Sequence, residues 1–404
     1  MANTLITADM IAKDALMHFK NQLGFTKGAN RQYDKSFGKS GAKVGNSIKI
    51  RQPQVFEAKD GKVAVIQDAT NRTISLVLSD RKHVAFNFDS EELTLSIEEF
   101  SKNYIKPASI ALANKVDSTG LELAQLIYNA VGTPATVPTD VDVYLEASQK
   151  LDEMACPSDD ERSALLCPRA QRGIVKGLTG LLSMGETGEE QYRKGKMGHA
   201  LGLEFSMAQN IDTHVVGAFT GTPLTDGASQ IGATLNIKGF GLSITDCLKK
   251  GDVFTIAGVY SINPLTHKST GSLKQFVVTA DSASDGSGDM ACPISPAIVY
   301  DQTDPFRNVS ANMADGAAIT IKGAASASTP TNLVYHKDAF ILGCADLELP
   351  RGVDMASRAV DSESGLSIRF VRDYDAQTDE WTSRLDIIFG WLVAHPEWAV
   401  KVYS

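Results

Sequence analysis

The chain has 404 residues, 43% hydrophobic and 22% charged, with 39 Lys and Arg against 48 Asp and Glu for a net charge of −9. At roughly 150 residues per domain this length implies two or three domains, and the composition is that of a packed globular chain. The acidic balance excludes a protein that grips nucleic acid by bulk charge. No run approaches the roughly 18 apolar residues that span a bilayer, so no membrane partner is expected.

The first ten residues lack a basic region followed by an apolar run, so no secretory signal is expected. Cys156, Cys167, Cys247, Cys292 and Cys344 are odd in number and far apart. That is the usage of a chain made in a reducing cytosol, with thiols packed as small hydrophobes.

Ile6, Met10, Ile11, Leu16 and Phe19 place an apolar face on a helix over residues 5–20, with Asp9 in the first turn, where the helix dipole favours negative charge. Residues 27–43 are basic and Gly-rich, with Lys27, Arg31, Lys35, Lys39 and Lys43. They read as an exposed connection, or as an arm laid over another subunit or a charged partner. From Ser47 the period becomes two: Ile48 and Ile50, then Ile74, Leu76 and Leu78, then Val84, Phe86 and Phe88. These are strands with one buried face. Between the first two lies a polar excursion, residues 54–72. Its centre, Lys59-Asp60-Gly61-Lys62, is flanked by Val55-Phe56 and by residues 63–66, a hairpin signal. A hairpin with so little apolar content has no core of its own and must lean on something else.

A long helix is expected over 96–131. Ser96 with Glu98 and Glu99 suits its N-terminus, and Ile105, Leu112, Val116, Leu123 and Ile127 share one face. Pro107 and Gly120 lie inside it, where a kink or break is expected. Residues 144–152 look helical, and 165–167 look like a short buried strand ended by Pro168. From 221 to 328 Gly, Ser, Thr and Ala dominate, with strand candidates at 253–257, 275–279, 297–300 and 318–321. Short strands between Gly and Ser clusters describe a small inserted β-barrel or sandwich. The chain then closes with a hairpin, 366–372 and 381–389 around a polar turn at 375–380.

No catalytic, cofactor-binding or metal-binding residue is assigned. There is no C-x-x-C or H-E-x-x-H, and Cys156 and Cys167 have no nearby His pair, so zinc is not expected. The Gly-rich run 173–202 lacks the phosphate-binding pattern, since Gly195-Lys196 is followed by Met197. Asp281, Asp285 and Asp289 surround a Gly turn, but Ala283 and Cys292 stand where a calcium loop needs oxygen ligands. They read as a solvated turn. No G-x-S-x-G elbow is present, and nothing favours a triad assembled from distant residues.

The order of parts carries more than any motif. Together with Lys250-Gly251-Asp252-Val253-Phe254 and the following 255–259, Asn263-Pro264, Ser269-Thr270-Gly271 and the closing His395-Pro396-Glu397, it resembles major capsid proteins of tailed double-stranded DNA bacteriophages, of the short-tailed salmonella-phage type. The resemblance covers essentially the whole chain and implies an α+β Johnson fold with an inserted small β-barrel. By it, 1–46 are an N-terminal arm and 47–132 a peripheral domain with an extended loop (54–72) and spine helix (96–131). Residues 133–220 and 329–350 form an axial domain, 221–328 the barrel, and 351–404 the closing hairpin of the peripheral domain. It implies inter-subunit contacts through Phe56, Glu57, Lys59, Asp60 and Lys62, and arm contacts through Arg31, Lys35 and Lys39. The segment 235–243, where the family has a polar loop, carries only Lys238. The implied partners are other copies in pentamers and hexamers, a scaffolding protein, a portal protein and packaged DNA held without sequence specificity. The implied location is the virion, after synthesis in the host cytoplasm. The alternative is a hydrolase-like enzyme with the barrel as a binding module.

Overall fold

The structure, a computed structural model, describes residues 8–33, 47–52, 56, 66, 72–89, 101–138, 141–178, 198–302, 304–361 and 365–404. It divides into two compact units. One is drawn from Met1–Arg51, Thr73–Gly120 and Phe340–Leu392, the other from Gln52–Arg72, Leu121–Ala339 and Val393–Ser404.

In the first unit the period-two segments form a sheet. Leu366–Asp375 and Glu380–Val393 pair antiparallel around a turn in which Asp375 faces Glu380. Asp80–Asp89 also pairs antiparallel with Glu380–Val393. The sheet runs Asn30–Tyr33, Phe340–Ala345, Glu380–Val393, Leu366–Asp375, Met355–Asp361. One face presents Ile368, Phe370, Leu385, Ile387 and Phe389, all fully buried. The Ala8–Gln22 helix adds Ile11, Leu16 and Phe19 to the same cluster, and the Lys106–Leu121 helix adds Leu112 and Val116. At about 1.5–3 kcal/mol for each large side chain fully buried, this cluster dominates the unit's stability. Ser47–Arg51 and Thr73–Val77 form a separate antiparallel pair, so segment 52–72 leaves and returns at neighbouring points.

The long helix is shorter than its periodicity implies. A π-helical turn, Ser101–Ile105, leads into the 16-residue α-helix Lys106–Leu121, followed by a 3-10 turn, Glu122–Leu126. Residues 90–100 lie outside the described residues. Pro107 sits just after the π-helical turn, where its missing N–H removes one ladder hydrogen bond at the change from π to α. Gly120 sits in the last α-helical turn, where a Cβ would lie 2.7 Å from Trp391 Cε2 and 2.8 Å from Phe25 Cε1. Both residues therefore sit where the helix changes type, from π to α beside Pro107 and from α to 3-10 beside Gly120, as the expected breaks. Ile127 has extended backbone and Ala130–Val131 is a strand, which corrects the expected end at 131.

The second unit contains a mixed sheet in the order Ala130–Val131, Ala399–Tyr403, Ser328–His336, Arg162–Leu166, Leu203–Met207, Gly198–Ala200, with Thr213–Val215 also pairing to Ser328–His336. Arg162–Leu166 and Ala399–Tyr403 are buried along their whole length. Such strands lose the alternation that marks a one-faced sheet. The helices Asp142–Glu153 and Pro168–Leu178 accompany this sheet, and Pro168 opens the second of them. Two boundaries differ from the sequence expectation. Phe340–Ala345 joins the first unit's sheet instead of the 329–350 return, and Ala399–Tyr403 leaves the closing segment for the second unit's sheet.

The inserted sheet has six strands in the order Gly221–Thr225, Gly232–Phe240, Met290–Ile298, Ser269–Val278, Val253–Ile262, Ile319–Ile321, all paired antiparallel. A bridge between Leu224 and Ala318 and a bond from Thr225 N to Ala317 O (3.0 Å) bring its two edges together as a barrel. Leu235, Ile237, Phe254, Phe276, Cys292 and Ile294 fill the interior. The sequence reading found only the end of Met290–Ile298, because Pro293 and Pro296 interrupt its pattern.

Candidate functional site

The assembly residues expected from the sequence fall in different places. Phe56 and Ile66 are 62% and 92% exposed. The base of their segment is fastened within the second unit. Gln52 N donates to Arg72 O (2.9 Å), Gln52 Nε2 donates to Ala394 O (3.3 Å), and the Arg72 guanidinium lies 4.4 Å over the Phe306 ring. Glu57, Lys59, Asp60 and Lys62 lie outside the described residues, as do Lys35 and Lys39. Arg31 stands in the Asn30–Tyr33 strand, opposite Leu342 in parallel pairing, so its backbone belongs to this chain's own sheet. Lys238 is held within the barrel by Asp315 (2.9 Å) and Asp226 (3.4 Å).

One carboxylate that the sequence reading passed over ties the start of the chain to the long helix. Asp117 Oδ2 accepts the amides of Gly24 (2.7 Å) and Phe25 (3.3 Å), and Oδ1 accepts the Thr26 amide (3.1 Å) and hydroxyl. Burial pushes its carboxyl above the usual range, while Thr26 and the amides pull the other way. A second carboxylate, Asp386, is fully buried in the sheet beside Arg369, Arg384 (2.7 Å) and Arg81 (3.6 Å). Burial would raise its pKa, but hydrogen bonds from Arg369 and Arg384 outweigh this and hold it below the usual range.

The other polar concentration lies where the barrel meets the mixed sheet. The Lys250-Gly251-Asp252 turn enters it. Asp252 Oδ1 pairs with His214 Nε2 (2.7 Å), while Oδ2 accepts the amides of Gly217 (3.0 Å) and Lys249 (2.8 Å). Gln275 closes both sides of Ala130, donating to its carbonyl and accepting from its amide at 2.8 Å each. Lys322 Nζ donates to Ala130 O (2.7 Å), and Lys401 Nζ donates to Gln125 O (3.0 Å) and Gly251 O (2.9 Å). Lys274 Nζ lies 4.6 Å over the Tyr128 ring. The Lys250-Gly251-Asp252 motif was the only signal of this joint in the sequence, and nothing in the pattern of residue 401 marks it as buried.

Among the described residues, Asp159, Glu161 and His336 are the group whose atoms approach closely enough to hold a metal. Their contacts describe a hydrogen-bonded cluster instead. The Asp338 amide donates to His336 Nδ1 (3.2 Å), which places the proton on Nε2, facing Asp159 Oδ1 (3.0 Å). A cation at Nε2 would displace that proton and turn Nδ1–H against the amide, whereas metal-bound histidines donate through their second nitrogen. Lys337 already pairs with Glu161 (2.6 Å). Asp285 caps its own turn by accepting the amides of Ser287 and Asp289, and Asp281 accepts the Lys250 amide. All five cysteines are buried free thiols. No described helix is long and apolar enough to cross a membrane.

The chain is similar to a major capsid protein of Acyrthosiphon pisum secondary endosymbiont phage 1, at 21% identity over 98% of each chain. It is also similar to a solved structure from Mycobacterium phage Che8 (12% identity, 94% of this chain and 90% of that one, TM-score 0.48). A third similarity is to the capsid of the cyanophage P-SCSP1u (11% identity, 93% and 86%, TM-score 0.46). The family described as P22 coat protein, gene protein 5, matches residues 1–402. This match sets aside the hydrolase reading. With its mixed α+β units and inserted barrel, the chain belongs to the P22 coat protein family: it is a phage major capsid protein, a structural component of the virion shell.

Proposed function

We propose that the chain assembles as pentamers and hexamers into a closed icosahedral shell around double-stranded DNA, through a scaffold-assisted procapsid, with a portal protein at one vertex. The family match over residues 1–402 carries this reading. Synthesis in the host cytoplasm fits the five unpaired cysteines. The net charge of −9 suits a wall that contains DNA without gripping it.

Assembly in this reading uses segment 54–72 as an arm laid on a neighbouring subunit. Phe56 and Ile66 leave large apolar surfaces in water, which a second copy would cover. Repeating such a contact head to tail around a ring closes it. The domain division follows the two units, with the sheet of Leu366–Asp375 and Glu380–Val393 as the peripheral part and that of Ser328–His336 as the axial part. Electron microscopy of particles from cells co-expressing the chain with a scaffolding protein tests the proposal. Closed shells with five- and six-fold capsomers are expected, and open sheets or unassembled subunits under all conditions would contradict it.

A further inference from the structure

The barrel is joined to the mixed sheet through a two-stranded stalk. The chain enters along Thr213–Val215 and leaves along Ser328–His336, and these strands pair, with further bonds from Val216 N to Ala327 O (3.0 Å) and Ser326 N to Gly217 O (3.1 Å). Beside the stalk lies the joint of Lys274, Lys322, Lys401, His214 and Asp252, all but Lys322 buried. A shallow open cleft of about 470 Å³, lined by Gln125, His214, Lys249, Lys250 and Asp281 among others, brings water to its edge.

The donor count at Lys401 matches a neutral amine, while Lys322 Nζ has one carbonyl partner and Lys274 Nζ the Tyr128 ring. A neutral amine carries two hydrogens, and Lys401 Nζ has two carbonyl partners, Gln125 O and Gly251 O. A protonated amine has three donors. The third would have no carbonyl partner among the described residues, and the nearby Asp252 carboxylate already accepts from His214 and two amides. Burial lowers the amine of Lys401 to about 7 and those of Lys274 and Lys322 to about 8. The charged groups acting on them are few. Asp252 favours the charged form of Lys401, Glu397 that of Lys274 and Glu146 that of Lys322, while Lys150 opposes the last two. Lys150, on the Asp142–Glu153 helix, is itself lowered by burial against Glu153 and Glu146. His395 pairs with Glu397 and Ser272 bonds Glu153, which engages both carboxylates elsewhere. Tyr128 and Tyr403 are buried with raised pKa and stay neutral. Lys249 and Lys250 face the cleft and add positive charge.

We propose that this joint is a proton-operated latch: with its amines neutral the barrel is held on the mixed sheet, and proton uptake releases the barrel on its stalk with both folds intact. Opening exposes the amines, which then regain an ordinary affinity for protons. The open state therefore binds more protons than the closed one between about pH 7 and 10, and falling pH drives opening in that window. Each amine contributes up to tenfold per pH unit.

Hydrogen exchange of the full-length, unassembled subunit, read by mass spectrometry and corrected for intrinsic exchange rates, tests this at pH 9 and pH 7. Peptides covering 125–131, 249–254 and 399–404 should lose at least tenfold in protection at pH 7, while barrel peptides 235–240 and 290–294 stay unchanged. Lys401→Met, which keeps the stem without the titrating amine, should reduce the pH response of the joint by more than tenfold. Equal corrected protection at both pH values would overturn the latch, and so would parallel loss in the joint and the barrel core. If Lys401→Met does not fold, Lys274→Met gives the same comparison, and the wild-type pH pair is decisive without either variant.

Discussion

Replacing Asp117 by alanine should weaken the first unit severely. Its two oxygens accept four donors, the amides of Gly24, Phe25 and Thr26 and the Thr26 hydroxyl, and both Phe25 and Thr26 are fully buried. Alanine leaves these donors without a partner where water has no ready access. At about 0.5–1.5 kcal/mol net for each of the four bonds, the loss is about 2–6 kcal/mol. That is a large part of the roughly 5–15 kcal/mol that holds a domain folded. Thr26→Ala removes only the hydroxyl bond and should cost about 1 kcal/mol. Urea unfolding of an unassembled subunit that keeps Trp391 and has Trp381 and Trp398 replaced by phenylalanine, followed by fluorescence, reports on this unit because Trp391 Nε1 bonds Val116 O (3.1 Å) one residue away. The double variant should cost no more than Asp117→Ala alone, since the two side chains share a bond. A loss below about 1 kcal/mol for Asp117→Ala, or simple additivity with Thr26→Ala, would refute the clamp.

Gly120→Ala should destabilise the subunit by about 1–3 kcal/mol, because its Cβ would meet the Trp391 and Phe25 rings at 2.7–2.8 Å; thermal unfolding measures it, and a neutral result would show that the rings yield freely. Asp386 has a pKa held below that of an unfolded carboxylate, so its stabilising effect is present above the unfolded value and lost as pH falls through the folded one. Asp386→Asn should therefore flatten the acid limb of the stability–pH curve while lowering stability at pH 7. Removing residues 54–72 should leave a folded subunit that fails to form durable shells, as judged by circular dichroism and particle sedimentation. Loss of soluble folding on that deletion would argue against an intermolecular arm.

Much of the architecture was legible where one face of an element is wet. The alternation in 366–372 and 381–389 gave the closing hairpin, and the Gly- and Ser-bounded strands gave the barrel. What escaped was buried on every side or broken by special residues. Ala399–Tyr403 carries Lys401 at its centre, and a lysine reads as a solvent mark until its amine is seen between two carbonyls. Asp117 shares a helix with apolar neighbours, and only the fold brings Gly24, Phe25 and Thr26 to it. The helix periodicity ran on through Ile127 because that residue is buried, although its backbone is extended. Local pattern records burial, and burial alone does not say which sheet a strand will join. That is why Phe340–Ala345 and Ala399–Tyr403 went to the opposite units from those expected.

The shell-forming role is tested most directly by sedimentation velocity of the purified chain, with and without a co-expressed scaffolding protein. The expected result is a slow subunit or capsomer species that converts, when scaffold is present, to a single fast boundary of closed particles containing hundreds of copies. A chain that stays monomeric under every condition, with the scaffold sedimenting apart from it, would contradict a capsid function.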